Sequence, residues 1–301
     1  MSENSAQKVI EKYLENLSGE GFNTSVPERK EFNFEASISS EKESLKLQVY
    51  FGKKGIKTVL QGNKESDLYR RVSSVLFGDK LFSEEEIKEP ESYIGIDESG
   101  KGDYFGPLVI AGVYVQNEVK NNLLRIGVKD SKQLPDYQIK EVSAKIKRVL
   151  SAKNYNVVTI NPERYNELYK KIGNVNKLLA WGHARVLENL LVNVKATDAI
   201  SDKFGNESYI ISNLMSKGTK INLIQTIKGE RFTAVAAASI LAREKFISWF
   251  ELQQKKLYTT LPKGASLLVE EAARKLKDSY GDEFLSKVAK LHFKTTKKIG
   301  Q

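Results

Sequence analysis

One stretch, residues 93–115, constrains the fold of this chain more than any other. It reads YIGIDESGKGDYFGPLVIAGVYV. The apolar runs at its two ends are typical of β-strands, and the glycine-rich centre predicts a tight turn between them. Two adjacent carboxylates, Asp97 and Glu98, fall where the first strand gives way to the turn. Neighbouring strand residues point to opposite faces, so both carboxylates can serve one site only if the strand ends or bends there.

The turn itself adds a second kind of chemistry. Gly100, Lys101 and Gly102 follow Ser99, and glycines at such a turn expose backbone N–H groups that can approach a phosphate or a sugar hydroxyl. Buried carboxylates without partners are costly, so a cation is the natural companion of the acidic pair. On composition alone, a hairpin whose acidic turn is simply exposed to solvent is as well supported as a site that binds a cation.

The string DESGKGDYFGP at residues 97–107 resembles the signature of bacterial ribonuclease HIII, a family of type 2 ribonucleases H that cut RNA within RNA/DNA hybrids. Eleven consecutive positions in register after a strand are far more specific than an isolated pair of glycines. NVNKLLAWGH at 174–183 and VAAASILAR at 235–243 agree with the same family. The resemblance implies an α/β fold of the ribonuclease H-like type, with a mixed five-stranded sheet and flanking helices.

The resemblance also selects two later carboxylates. The family pattern, an aspartate followed two residues on by phenylalanine, favours Asp202 over its neighbour Asp198 as the functional group. Glu230 precedes an alanine-rich helix and could be an ordinary glutamate at a helix N-terminus, but ribonuclease HIII carries a glutamate there and ribonuclease HII an aspartate. The resemblance therefore implies one set of catalytic and metal-binding residues, which consists of Asp97, Glu98, Asp202 and Glu230.

Composition decides which metal such a set would hold. The chain has no cysteine and only two histidines, which excludes thiolate sites and makes a multi-histidine zinc site implausible. We expect both His183 and His292 to be structural or surface residues. Oxygen ligands favour Mg²⁺ or Mn²⁺. Clustered carboxylates repel one another, and a pair of divalent ions would explain them, one activating water and the other stabilising the leaving oxygen.

The charge distribution predicts a polyanionic partner. The formal net charge is +10, and residues 91–301 carry 34 Lys/Arg against 22 Asp/Glu, whereas residues 1–90 carry 14 against 16. In the family the glycine-lysine-glycine turn contacts ribose hydroxyls. Ser131, flanked by two lysines, could hold a phosphate or could simply cap a helix. The predicted nucleic-acid-binding residues are Ser99, Gly100, Lys101, Gly102, Ser131, Lys132, Lys53, Lys54 and Lys57.

The pattern along the chain predicts two domains joined by a linker. Residues 1–82 read as helix, strands and helix, and resemble the small α+β domain of ribonuclease HIII, which is similar to half of a TATA-binding protein and helps to hold the substrate. Its hairpin lysines could equally be solvated. Residues 83–92 are acidic, contain proline and read as the linker, and residues 93–301 form the expected catalytic domain.

Other functions stay open on the sequence alone. A ribonuclease HII-like enzyme would cut at single ribonucleotides embedded in DNA; the N-terminal domain, Lys101 and Glu230 favour ribonuclease HIII instead. A hybrid-binding protein without chemistry would have no use for an acidic cluster, and an integrase-like enzyme no reason to carry the string at 97–107. With no membrane-length apolar run and no signal-peptide core, we expect a cytoplasmic protein, and we expect a monomer.

Overall fold

The computed structural model describes residues 3–40, 43–52, 55–64, 66–77, 87–205 and 208–300. The chain divides into two units, Met1–Lys88 and Glu89–Gln301. The linker expected at 83–92 spans this division. Its residues 83–86, and the candidate residues Lys53 and Lys54, lie outside the described residues.

The N-terminal unit is an antiparallel sheet packed against two helices. In α1 (Glu3–Gly19) the apolar residues Ile10, Leu14 and Leu17 recur at helical spacing and are buried. In β4 (Ser44–Gly52) buried and exposed residues alternate, as the sequence predicts. The described strands lie in the order β1-β3-β4-β5, with β2 also paired to β3. The other elements are β1 (Asn23–Thr24), β2 (Glu28–Arg29), β3 (Asn33–Ser39), β5 (Gly55–Gln61) and α2 (Asp67–Phe77).

The C-terminal unit is built on a five-stranded sheet. Its central strand β6 (Ser92–Ser99) pairs antiparallel with β7 (Leu108–Gln116) and parallel with β9 (Asp198–Asp202). On the outside, β8 (Tyr155–Ile160) runs antiparallel to β7, and β10 (Asn222–Thr226) runs parallel to β9. The order is β10-β9-β6-β7-β8. The predicted mixed α/β fold with a five-stranded sheet is therefore confirmed.

The helices of this unit pack on the two faces of the sheet or against one another. They are α3 (Asn117–Arg125), α4 (Asp136–Val149), α5 (Pro162–Ile172), α6 (Val175–Leu191), α7 (Ser208–Ile211), α8 (Thr233–Leu257), α9 (Leu267–Val288) and α10 (Lys294–Ile299). The backbone leaves the helical conformation at Gly281, so α9 consists of two helical segments, as expected between 267 and 290. No helix in the described ranges is long and apolar enough to cross a membrane.

Two glycines show which helix covers which face. A β carbon on Gly95 would lie 2.3 Å from the backbone of α8, and one on Gly112 would lie 2.5 Å from a side chain of α6. Gly112 is paired with Ile96, the neighbour of Gly95, so the two glycines face opposite sides of the sheet. Consequently α8 covers the face to which Asp97 points, and α6 covers the face to which Glu98 points.

Candidate active site

Each carboxylate of the acidic pair meets a polar side chain from the helix on its own face. Asp97 accepts a hydrogen bond from Ser239 of α8, and its Oδ1 accepts the backbone N–H of Glu98 at 2.8 Å. On the other face, Oε2 of Glu98 lies 3.0 Å from Nε2 of His183 in α6. Because the pair stands at the end of β6, both carboxylates still line one pocket.

The neighbouring strand β9 brings Asp202 to the same edge of the sheet. Ile96 is paired with Ser201 in parallel register, so Asp202 lies beside Asp97. The competing carboxylate, Asp198, stands at the opposite end of β9. Of the two aspartates, therefore, it is Asp202 that the strand register places at the edge of the sheet that carries Asp97.

Glu230 reaches the pocket through a tight turn that follows β10. The chain passes through Lys228, which has a left-handed φ of 55°, into the single 3₁₀ turn Gly229–Arg231. The Gly229 N–H donates to Oδ1 of Asp202 at 3.0 Å, and a β carbon on Gly229 would lie 3.0 Å from the Asp202 backbone. This close approach sets Glu230 next to Asp202.

The four carboxylates line a single pocket of about 340 Å³. The structure thus brings together residues that are far apart in the chain. The candidate residues in the same pocket lining are Ser99, Gly100, Lys101, Gly102, Ser131 and Lys132. Of the other candidates, Lys57 is exposed on β5 of the N-terminal unit.

The glycine-lysine-glycine turn is tightly held at one glycine and open at the other. Gly100 has a φ of 91°, and a β carbon there would lie 2.2 Å from the carbonyl oxygen of Pro107, so only glycine fits. A β carbon on Gly102 would have no heavy atom within 4 Å. Between them, Nζ of Lys101 lies 5.5 Å from the centre of the Phe204 ring, a cation–π distance.

Ser131 begins the 3₁₀ turn Ser131–Gln133 but does not cap it, and its contact with a phosphate stays a prediction. Asp130 caps the 3₁₀ turn by accepting the Lys132 N–H at 2.9 Å, so the interpretation of Ser131 as the cap is wrong. The Ser131 hydroxyl is buried and shares a 2.7 Å hydrogen bond with the hydroxyl of Ser239. It therefore supports the serine that donates to Asp97.

The electrostatics of the pocket reflect its concentration of negative charge. Burial raises the pKa of Asp97 above its ordinary range, and the charges of Glu98 and Asp202 raise it further. Burial also raises the pKa of Asp202, with contributions from Glu230 and Glu98 that Lys132 partly offsets. The neighbouring charges thus disfavour the ionised forms of Asp97 and Asp202, and a bound cation would relieve that repulsion.

Comparison with known proteins decides the family. The family model described as Ribonuclease HII matches residues 94–296. A Ribonuclease HIII of Protochlamydia amoebophila is 38% identical over 290 residues, which cover 96% of this chain and 92% of that relative. The chain belongs to the ribonuclease HIII family. Its recognition from the string at 97–107 is therefore confirmed.

Solved structures agree with this assignment. The crystal structure of Bst-RNase HIII in complex with Mn²⁺ matches with a TM-score of 0.66 and 27% identity, covering 96% of this chain and 95% of that one. The ribonuclease H2 of Pyrococcus horikoshii matches with a TM-score of 0.57 and 26% identity, but covers only 69% of this chain. As a member of the ribonuclease HIII family, the protein is an endoribonuclease of the ribonuclease H class. The ribonuclease HII-like and non-catalytic alternatives are not favoured.

Two polar residues that contact the pocket carboxylates were not predicted from the sequence. His183 and Ser239 are both buried, and they contact Glu98 and Asp97 respectively. Each is a polar residue within an apolar stretch of helix, and buried polar groups require partners. A polar residue in an apolar stretch of helix therefore indicates that a hydrogen-bond partner exists, but the sequence does not say which group that partner is.

Proposed function

We propose that this protein hydrolyses the RNA strand of RNA/DNA hybrids with the help of Mg²⁺ or Mn²⁺, leaving 5′-phosphate and 3′-hydroxyl ends. One observation carries the proposal: Asp97, Glu98, Asp202 and Glu230 line a single pocket. Burial and mutual repulsion raise the pKa of Asp97 and Asp202 in that pocket. A protein that only binds a polyanion needs lysines and arginines rather than clustered carboxylates.

The residues of the pocket suit a hard divalent cation, because carboxylates supply the oxygen ligands that such ions prefer. Within the described ranges, no three acidic or histidine side chains form a group that could hold a metal ion unaided. Mg²⁺ commonly takes only one or two carboxylates and completes its shell with water and substrate phosphate oxygens. We therefore assign two ions to the four carboxylates. When bound, such ions activate water and stabilise the leaving oxygen. The Mn²⁺ complex of Bst-RNase HIII supports the use of a divalent metal.

The chain's own residues keep the carboxylates in place. Ser239 donates to Asp97, and the Gly229 N–H donates to Asp202. Lys132 lies near enough to Asp202 to favour its ionised form. These contacts limit the movement of two side chains that repulsion would otherwise drive apart.

The turn at Gly100, Lys101 and Gly102 is the proposed probe of the RNA strand. Discrimination of RNA from DNA requires contact with the 2′-hydroxyl. The turn lines the same pocket as the carboxylates, and the space beside Gly102 is open. Its backbone can therefore approach a ribose next to the bond that is cut.

The N-terminal unit is the proposed holder of the substrate outside the pocket. Lys57, exposed on β5, would contact the phosphate backbone together with Lys53 and Lys54. The cytoplasmic location and the monomeric state stay predictions.

The test uses two labelled duplexes with Mg²⁺ or Mn²⁺: a continuous RNA/DNA hybrid, and a DNA duplex with one embedded ribonucleotide. We expect cleavage of the hybrid at several positions and little action on the second duplex. Preference for the single ribonucleotide would move the specificity to the ribonuclease HII type. Tight binding without cleavage of either duplex would refute the proposed catalysis.

A matched pair of variants tests the metal assignment. Asp97→Asn removes a proposed ligand, so turnover should be lost while hybrid binding, measured by fluorescence anisotropy, persists. Asp198→Asn makes the same chemical change at the far end of β9, and it should leave turnover unchanged. Retained turnover in Asp97→Asn would contradict the assignment.

A further inference from the structure

A buried imidazole holds one of the proposed metal ligands. The His183 side chain on α6 is completely buried, and its Nε2 lies 3.0 Å from Oε2 of Glu98. Its other ring nitrogen, Nδ1, is also buried and has no hydrogen-bond partner among the described residues. Within the part of the chain that the structure describes, the ring thus makes a single hydrogen bond, and that bond is to Glu98.

This arrangement determines where the proton of the ring lies. A neutral imidazole carries one N–H and one lone pair, and an ionised carboxylate can only accept. With the N–H on Nε2, the ring donates to Glu98 and leaves only a lone pair at Nδ1. With the N–H on Nδ1, a buried donor would be left without an acceptor, and a lone pair would face the carboxylate. The hydrogen bond therefore runs from His183 to Glu98.

The ring of Phe204 packs against the imidazole. Its ring lies 4.7 Å from the His183 ring at an interplanar angle of 55°, and Nζ of Lys101 lies 5.5 Å from the same phenylalanine ring. Phe204 follows Asp202 by two residues at the exit of β9. One aromatic ring therefore links the histidine behind Glu98 with the strand end that carries Asp202.

We propose that His183 is a positioning residue for Glu98, with Phe204 holding the imidazole in place. The hydrogen bond orients one carboxylate oxygen, and the second oxygen remains available to a divalent cation. The inference rests on the proposed function of the pocket, because it assumes that Glu98 is a ligand. Hydrogen-bonding partners of metal ligands typically contribute about 10–100-fold to metal affinity or activity.

The decisive comparison is between His183→Leu and His183→Gln. Leucine fills the space but cannot donate, whereas the amide of glutamine can present an N–H near the position of Nε2. His183→Leu should weaken Mn²⁺ binding, measured by calorimetry without substrate, and lower kcat by about 10–100-fold. The KM for the hybrid, measured at saturating Mn²⁺, should not change, because the buried imidazole cannot itself contact a substrate. His183→Gln should recover most of both losses.

Phe204→Leu provides a second variant that leaves the histidine intact. It should show a smaller loss of Mn²⁺ affinity, since the imidazole keeps its donor but loses its support. Mn²⁺ binding without substrate is the readout for this variant, because Lys101 of the proposed substrate-binding turn lies on the same phenylalanine ring. This variant also keeps the inference testable if His183→Leu fails to fold.

Three results would overturn the inference. They are wild-type Mn²⁺ affinity in His183→Leu, equal losses in the leucine and glutamine variants, and losses that simply follow the melting temperature. Failure of the proposed function would look different, because the wild-type protein itself would then leave the hybrid uncut. The Mn²⁺ titrations decide the role of His183 in that case as well.

Discussion

At Gly95 the backbones of β6 and α8 approach each other closely, and replacement of this glycine by alanine tests whether that contact maintains the pocket. The added β carbon would lie 2.3 Å from the carbonyl carbon of Ala234 and 2.3 Å from the backbone nitrogen of Val235. Ordinary contacts begin at 3.4 Å, so strand and helix must separate by about 1.1 Å. Both contacting atoms belong to the backbone, so no change of rotamer can relieve the clash.

The separation of β6 from α8 predicts a loss of thermal stability and a loss of cleavage rate. Overpacking of a core costs about 1–3 kcal/mol, and a clash with backbone belongs at the upper end, at about 3 kcal/mol. A domain of this size loses roughly 2–4 °C of Tm per kcal/mol, so Gly95→Ala should melt about 6–12 °C lower. Helix α8 also carries Ser239, which donates to Asp97. A displacement of about 1 Å can lower the rate by about 100-fold.

A graded series of variants makes this prediction specific. Gly112→Ala would meet the side-chain ends of Val186 and Leu190 at 2.5 and 2.8 Å, which can move, so its cost should be smaller. Gly19→Ala has nothing within 4 Å and should have almost no effect. Thermal melting and hybrid cleavage are measured for all three. Wild-type behaviour of Gly95→Ala, or a larger loss in Gly112→Ala, would refute the reasoning.

Three further predictions concern the pocket, the turn beside it, and the buried Lys290, whose ammonium donates to the carbonyl oxygen of Asp103 at 2.7 Å. The pKa values of Asp97 and Asp202 are raised in the folded protein, so protonation of these two residues stabilises the metal-free fold at low pH. This stabilisation is lost as the pH rises through those pKa values. The rise in Tm on adding Mn²⁺ should thus be larger at about pH 8 than at about pH 6; an equal rise would argue against it. Gly102→Leu should melt like the wild type, because the space is open, yet lose hybrid cleavage; full activity would remove the turn from the mechanism. Burial lowers the pKa of Lys290 to about 7. Between about pH 7 and pH 10 the unfolded chain therefore binds more protons at this residue than the folded protein does. The stability of the wild type should consequently rise with pH relative to that of Lys290→Met. Parallel curves of Tm against pH would contradict this.

The sequence was sufficient to predict the local elements and the family. Alternation of apolar residues predicted strands such as β4, and helical spacing predicted α1, because these patterns depend only on neighbours in the chain. The string at 97–107 indicated ribonuclease HIII, and it placed Asp97 and Glu98 at the end of a strand. The mixed five-stranded sheet followed from that resemblance rather than from periodicity.

Only the tertiary structure decided how the side chains meet. His183 contacts Glu98 across 85 residues of sequence, and Ser131 contacts Ser239 across 108. Strand alternation says that Asp97 and Glu98 point to opposite faces, but not which helix covers each face. That depends on the close packing of α8 against one face and α6 against the other. A sequence pattern records the spacing of residues along one element, whereas the partners of a buried polar group are set by the packing of elements that are distant in the chain.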